Sequence, residues 1–278
     1  MIGETSVRLF CLPYAGGSAR VYQRWSDAVG PRFPVSAVEL PGHGRRIREP
    51  LHTSADSLMD LLLSELTGQL GAGPYALFGH SMGGRLAFQL AHECVRRGLP
   101  RPVQLFLSAA RSPAADMTTH RLHDLPDTEL LTALGTLGGS PAETLAHSEL
   151  MAVMLPVLRA DLRLAESWSF RPEHPLDIPV SLFSGLADPL ASRTEVERWR
   201  DFFSSQACHR SYHGDHFFPF PAADKAVPML SDLKDALTRA LNATSGPAAT
   251  PIAPRASRRR DTTRSNIELR ERHEDCVF

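Results

Sequence analysis

Tyr75-Ala76-Leu77-Phe78-Gly79-His80-Ser81-Met82-Gly83 is a strand running into a sharp turn, and a helix follows it from about residue 84 to residue 97. The four leading residues are apolar and bounded by a turn at residues 71–74, which reads as a buried strand. The helix is stopped near Gly98 and Pro100. Between strand and helix lies Gly-x-Ser-x-Gly. A serine on such a turn has strained backbone angles and crowded neighbours, so the positions two residues to either side must lack side chains. The helix behind it aims its N-terminal amides and positive dipole end at charge developing on a substrate oxygen. Ser81 is therefore the candidate nucleophile.

Outward from this stretch, strand-like and helix-like periods alternate. Residues 7–12 and 35–40 are apolar runs ended by Pro13 and by Pro41-Gly42, and residues 103–107 and 180–183 are further strand candidates. Leu58, Leu62, Leu66 and Leu70 fall on one face of a helix capped by Thr53 or Ser54. A short last strand at 210–212 and an amphipathic helix at 228–242 close the pattern. Such alternation predicts an α/β protein with a mostly parallel sheet flanked by helices. Residues 113–175 interrupt it with helical stretches near 127–137 and 149–168, which predicts a helical lid insertion. The core is expected from residues 1–112 and 176–243. Residues 244–278 are rich in Pro, Ala, Thr and Arg, include Arg258-Arg259-Arg260, and are expected to form a disordered basic tail.

Bulk properties narrow the function. The 278 residues are 42% hydrophobic and carry a formal net charge of −1, which points away from nucleic acid and anionic membranes. No apolar run reaches the roughly 18 residues of a membrane span. Met1-Ile2-Gly3-Glu4-Thr5 has neither the basic start nor the apolar run of a secretory signal. Cys11, Cys94, Cys208 and Cys276 are scattered, as in a reduced chain, and a cytoplasmic location is expected.

A serine hydroxyl needs a base to take its proton and an acid to hold that base. On a strand–serine–helix scaffold the chain order is Ser, then Asp or Glu, then His. His43, His52, His80 and His92 have the wrong order or adjoin Ser81, while His120, His123, His147 and His174 lie in the insertion. His216, in Gly214-Asp215-His216-Phe217-Phe218, sits on a glycine-started loop beyond the last strand and is the candidate base, with His213 as fallback. Asp188, in Ala187-Asp188-Pro189 at a strand end, is the candidate acid. Asp116 is the other candidate, and Asp215 adjoins the base too closely to orient it. The oxyanion hole needs two backbone N–H donors: Met82, after the nucleophile, and one from the loop Pro13-Tyr14-Ala15-Gly16-Gly17-Ser18, where Ala15 is the choice.

Over residues 7–243 the chain resembles the type II thioesterases of polyketide and nonribosomal-peptide biosynthesis. The likeness rests on Phe10 to Ser18, Leu40-Pro41-Gly42 with Arg45-Arg46, Gly79 to Gly83, Leu125-Pro126-Asp127, Leu137-Gly138-Gly139, Ala187-Asp188-Pro189, and Gly214 to Phe218. His43-Gly44 departs from it, standing where many relatives have charged residues. The resemblance implies an α/β-hydrolase fold with a helical lid, a Ser81–His216–Asp188 triad, and an oxyanion hole from Ala15 and Met82. It implies a stand-alone thioesterase that clears acyl groups from the phosphopantetheine arm of an acyl or peptidyl carrier protein. No metal or organic cofactor is expected, nor a nucleic-acid or membrane partner, and the chain is expected to be a monomer. A carboxylesterase or acyltransferase on the same fold, or a non-catalytic binding module, stays open at this point.

Overall fold

A computed structural model describes residues 6–115, 121–137, 147–221 and 227–245. Its centre is one six-stranded sheet of β1 (Arg8–Leu12), β2 (Val35–Ala37), β3 (Tyr75–His80), β4 (Gln104–Ser108), β5 (Val180–Gly185) and β6 (Ala207–Tyr212). The order is β2-β1-β3-β4-β5-β6 and every pairing is parallel. β3 and β4 are buried along their whole length. That burial on both faces is why they read as continuous apolar runs rather than alternating ones.

The two faces carry separate cores. On one, α2 (Ala55–Leu70) and α3 (Met82–Arg96) bury Leu58, Leu62, Leu66, Leu70, Leu86 and Phe88 against Phe10, Leu12, Leu77 and Leu105. On the other, α1 (Trp25–Val29) and the last helix, Pro228–Ser245, bury Trp25, Val29, Met229, Leu233 and Leu237 against Leu9, Cys11, Phe78 and Phe106. Successive residues of one strand thus supply opposite cores. The chain order reverses on either side of β1, so the carboxyl ends of β1 and β3 open a crevice at a topological switch point. Ser81 and the 13–18 loop both lie there.

Within the interrupting region the described residues form a turn at Leu122–Asp124, α4 (Asp127–Leu137) and α5 (Ser148–Ser167), followed by the short α6 (Arg193–Glu197) in the core; Pro228–Ser245 is α7. Asp116, His120, Gly138 and Gly139 lie outside the described residues, as does nearly all of the expected tail.

Several expectations shift. α3 begins at Met82 rather than at 84, because Gly83 and Gly84 are helical for packing reasons: a Cβ on Gly84 would meet Ala110 Cβ at 2.6 Å. β6 starts at Ala207 instead of 210; it is an edge strand with half-exposed polar residues, so its apolar signal is weak. β2 is shorter than expected, and α7 runs three residues past 242. Ser54 is the N-cap of α2 but makes no side-chain capping bond. Cys11 and Cys94 are free and buried. Among the described residues no helix is long and apolar enough to cross a membrane.

Candidate active site

Ser81 has φ 53° and ψ −116°, a strained conformation for a residue with a side chain, and its N–H is held by the Ser108 carbonyl at 2.8 Å. The flanking glycines make the turn possible. A Cβ on Gly79 would lie 2.0 Å from the Gly83 carbonyl oxygen, and one on Gly83 would lie 2.2 Å from the Leu12 carbonyl oxygen. Backbone occupies both places, so no rotamer change relieves either clash.

Asp188 follows β5, and its carboxylate is fixed on three sides. Oδ1 accepts from the Leu190 and Ala191 amides at 2.8 and 3.0 Å, and Oδ2 meets His216 Nδ1 at 2.9 Å. With Nδ1–H donating to a carboxylate, the neutral ring presents Nε2 as an acceptor. The His216 loop lies on the end of β5, where a Cβ on Gly185 would meet the Asp215 carbonyl at 2.4 Å. Both His216 and the Asp188 carboxylate are buried. His213 and Asp215 are exposed, and Asp215 accepts the Phe217 N–H at 2.8 Å. The structure thus brings His216, rather than His213, to Asp188.

Ser81, Met82 and His216 line one cleft of about 530 Å³ that opens to solvent, together with Arg85, Arg111, Leu122, Leu162, Ala165 and Glu166. Ala15, at the end of β1, packs against the core at its edge, and its N–H has no acceptor among the described residues. Leu130, Leu134, Met151, Met154 and Leu158 of the helical region do not line this cleft, and Leu130 and Met151 are buried. The cleft instead takes Leu162, Ala165 and Glu166 from the far end of α5.

Arg85 escaped the sequence reading, while His80 and His43, set aside there as bases, are buried and bonded. Arg85 is buried under α5: Nε donates to the Arg111 carbonyl at 3.1 Å, Nη1 to the Ala165 carbonyl at 2.7 Å, and the guanidinium lies 5.2 Å from the Trp168 ring centre. Burial, aided by Arg111 and Arg171, pushes it down to about 10, still cationic near neutrality. His80 is fully buried, bonded to Ser108 Oγ at 2.9 Å and tilted against the His216 ring at 5.1 Å. Burial first, then the His216 charge, hold it well below its ordinary pKa. His43, set aside as a base by chain order, is buried against Asp161 of α5. A pair 118 residues apart leaves no signal in a single sequence. Among the described residues no group of His, Cys, Asp or Glu is arranged to hold a metal ion.

A strained serine at a strand-to-helix turn, sharing a cleft with a histidine that bonds a fixed carboxylate, is an arrangement suited to acyl transfer through a covalent intermediate. Residues 7–236 match the family model of the thioesterase domain. The chain is 32% identical to the gramicidin S biosynthesis protein GrsT of Aneurinibacillus migulanus, over 81% of this chain and 87% of that one. It is 36% identical to the thioesterase PikA5 of Streptomyces venezuelae, over 77% and 76% respectively. The structure of RedJ, a thioesterase from the prodiginine pathway of Streptomyces coelicolor, superposes with a TM-score of 0.78 at 37% identity, covering 83% of this chain and 90% of RedJ. The chain belongs to the thioesterase family on the α/β-hydrolase fold, a hydrolase of thioesters whose relatives include the type II thioesterases of polyketide and nonribosomal-peptide pathways.

Proposed function

We propose that Ser81, His216 and Asp188 form the catalytic triad of an editing thioesterase that frees phosphopantetheine arms of acyl and peptidyl carrier proteins from acyl groups. The observation that carries this reading is the 2.9 Å bond from His216 to a carboxylate already held by two amides, beside Ser81 in one cleft. Nε2 of His216 takes the Ser81 proton as the hydroxyl oxygen attacks the thioester carbonyl. The Ala15 and Met82 amides receive the negative charge on the carbonyl oxygen. The tetrahedral intermediate collapses, the pantetheine thiolate leaves, and it takes the proton from His216. Water, deprotonated by the same imidazole, then hydrolyses the acyl-Ser81 ester.

The 113–175 region acts as the lid of this chamber, supported by the cleft positions that α5 supplies. Relatives named for gramicidin S and prodiginine biosynthesis support a carrier-protein substrate. The enzyme works as a cytoplasmic monomer. The test is release of acyl groups from a panel of loaded carrier proteins of varied chain length, beside a simple aryl ester. Thioester turnover is expected to dominate and to fall by at least about 10³-fold in a folded Ser81→Ala variant. Turnover near that of the parent protein in Ser81→Ala ends the assignment, and preference for the aryl ester points to an esterase.

A further inference from the structure

α5 presents Leu158 and Asp161, three residues apart and so on one helical face, to the loop that carries Ala15. A Cβ on Gly16 would lie 2.4 Å from Leu158 Cδ2, so the helix rests directly on the loop. Asp161 Oδ2 accepts the Gly16 N–H at 2.7 Å and meets His43 Nε2 at 2.8 Å. His43 Nδ1 faces the Pro41 carbonyl at 2.9 Å. A carbonyl only accepts, so Nδ1 carries a proton, and the contact to Asp161 requires one more shared between ring and carboxyl. Both side chains are buried. Burial works against the charged ring, but the Asp161 bond and charge outweigh it and raise His43 above its ordinary value.

A carboxylate is costly to bury, and one glycine amide does not offset that cost. His43 supplies the second partner, which leaves Asp161 able to hold Gly16. The peptide unit between Ala15 and Gly16 is planar, so fixing the Gly16 N–H fixes the rotation of Ala15 about its Cα–C bond. On the other side the Gly17 N–H is tied to the Tyr14 carbonyl at 2.8 Å. Between these two ties the Ala15 N–H is left with no acceptor among the described residues.

We propose that Asp161, held by His43, is a positioning residue that shapes the oxyanion loop from α5, so that the hole is complete only while this helix is seated on the loop. The proposal rests on the assignment of Ser81 and Ala15 made above. Departure of α5 breaks the Gly16 bond, and an enzyme in that state binds its acyl group without stabilising the oxyanion. Substrate capture and the chemical step are thereby joined through one carboxylate oxygen.

The test uses the full chain with Asp161→Ala, Asp161→Asn, His43→Ala, His43→Gln and Ser81→Ala. Steady-state kinetics on an acyl-N-acetylcysteamine thioester and thermal melts are recorded, with the rate of Ser81 labelling by a fluorophosphonate, whose phosphoryl oxygen occupies the hole. Asp161→Ala is expected to lower kcat by about 10²-fold with KM changed less than about threefold, and to slow labelling in parallel. Both donors meet the same oxygen of Asp161, so the amide oxygen of Asp161→Asn accepts from both but without the charge, and gives a smaller loss, about tenfold in kcat. His43→Gln keeps a donor for Asp161 and recovers most of the kcat lost in His43→Ala. Should Asp161→Ala fail to fold, Asp161→Asn and the His43 pair decide. Folded variants with lowered melting temperature but parental kcat and labelling rate overturn the proposal, as does a loss confined to KM. Residual activity in Ser81→Ala would instead overturn the triad, and a dead Ser81→Ala beside fully active Asp161 variants overturns only the positioning role.

Discussion

Gly83 and Leu12 approach so closely that the hydrogen on the Gly83 Cα stands where a Cβ would be 2.2 Å from the Leu12 carbonyl oxygen, with the Pro13 carbonyl oxygen at 2.6 Å. This contact fastens the first turn of α3 to the end of β1. It therefore sets the distance between the Met82 amide and the 13–18 loop, the two sources of the proposed oxyanion hole.

Gly83→Ala is expected to force this backbone apart. Overpacking of this kind typically costs about 1–3 kcal/mol. Urea unfolding should show that loss, with kcat reduced more than stability alone explains, because the loop carrying Ala15 must shift. Parental stability in Gly83→Ala would show that the approach is looser than the geometry says.

Asp188→Asn removes the charge but not the shape. The Leu190 and Ala191 amides both donate to Oδ1, so the amide oxygen is held there and the NH2 group is turned toward His216. Nδ1 must then accept, the ring proton moves to Nε2, and the base facing Ser81 is lost. A fall of about 10⁴-fold in kcat is expected with the melting temperature little changed. Activity within tenfold of the parent would remove Asp188 from the mechanism.

His80 and His92 make stability fall in acid. His80 is held well below its ordinary value by burial and by His216, and burial lowers His92 to about 4. The unfolded chain protonates both near pH 6.5 while the folded chain does not. The unfolded state thus binds more protons below that pH, and stability declines as pH drops from about 6.5 toward 4. For a fully buried group such as His80 the limiting slope is about 1.4 kcal/mol per pH unit. Urea midpoints at pH 7, 6 and 5 measure it, and His80→Gln should flatten the slope. A pH-independent midpoint across that range contradicts the burial of a neutral His80.

A polar chain ties α5 to the core: Trp168 Nε1 donates to Gln89 Oε1 at 2.8 Å, and Gln89 Nε2 donates to Asp56 Oδ1 at 3.0 Å. Gln89→Leu leaves the buried indole N–H without its acceptor, at a cost of about 1–3 kcal/mol. Adding Trp168→Phe should recover part of that loss, since the orphaned donor goes with it. Additive losses in the double variant would mean that the two side chains act independently.

The residues legible in the sequence were those whose chemistry is written locally. Ser81 was legible as a candidate because its two glycines answer a steric demand within five residues. Asp188 and His216, which the structure brings within 2.9 Å of each other, were legible as candidates because each stands just past a strand, one in a turn with Pro189 and one in a loop opened by Gly214. His213 stayed open as the fallback base until its exposure set it apart from the buried His216, and Asp116, the other acid candidate, lies outside the described residues. Which face of the insertion meets the cleft was not legible, because helical spacing shows which residues share a face and not what that face meets. Leu158 shares its face with Asp161 and rests on Gly16, while Leu162 and Ala165 reach the cleft.

The sequence by itself determined the alternation of strand and helix, the turn at Ser81 and the chain order of the three proposed catalytic residues, since backbone sterics and apolar periodicity act between near neighbours. Only the tertiary structure decided that Asp161 meets His43 and Gly16, that Arg85 lies beneath α5, and which face of the insertion looks into the cleft. Those contacts join residues up to 145 apart in the chain. Their energies depend on burial and on the meeting of two surfaces, quantities that exist only once the chain has folded.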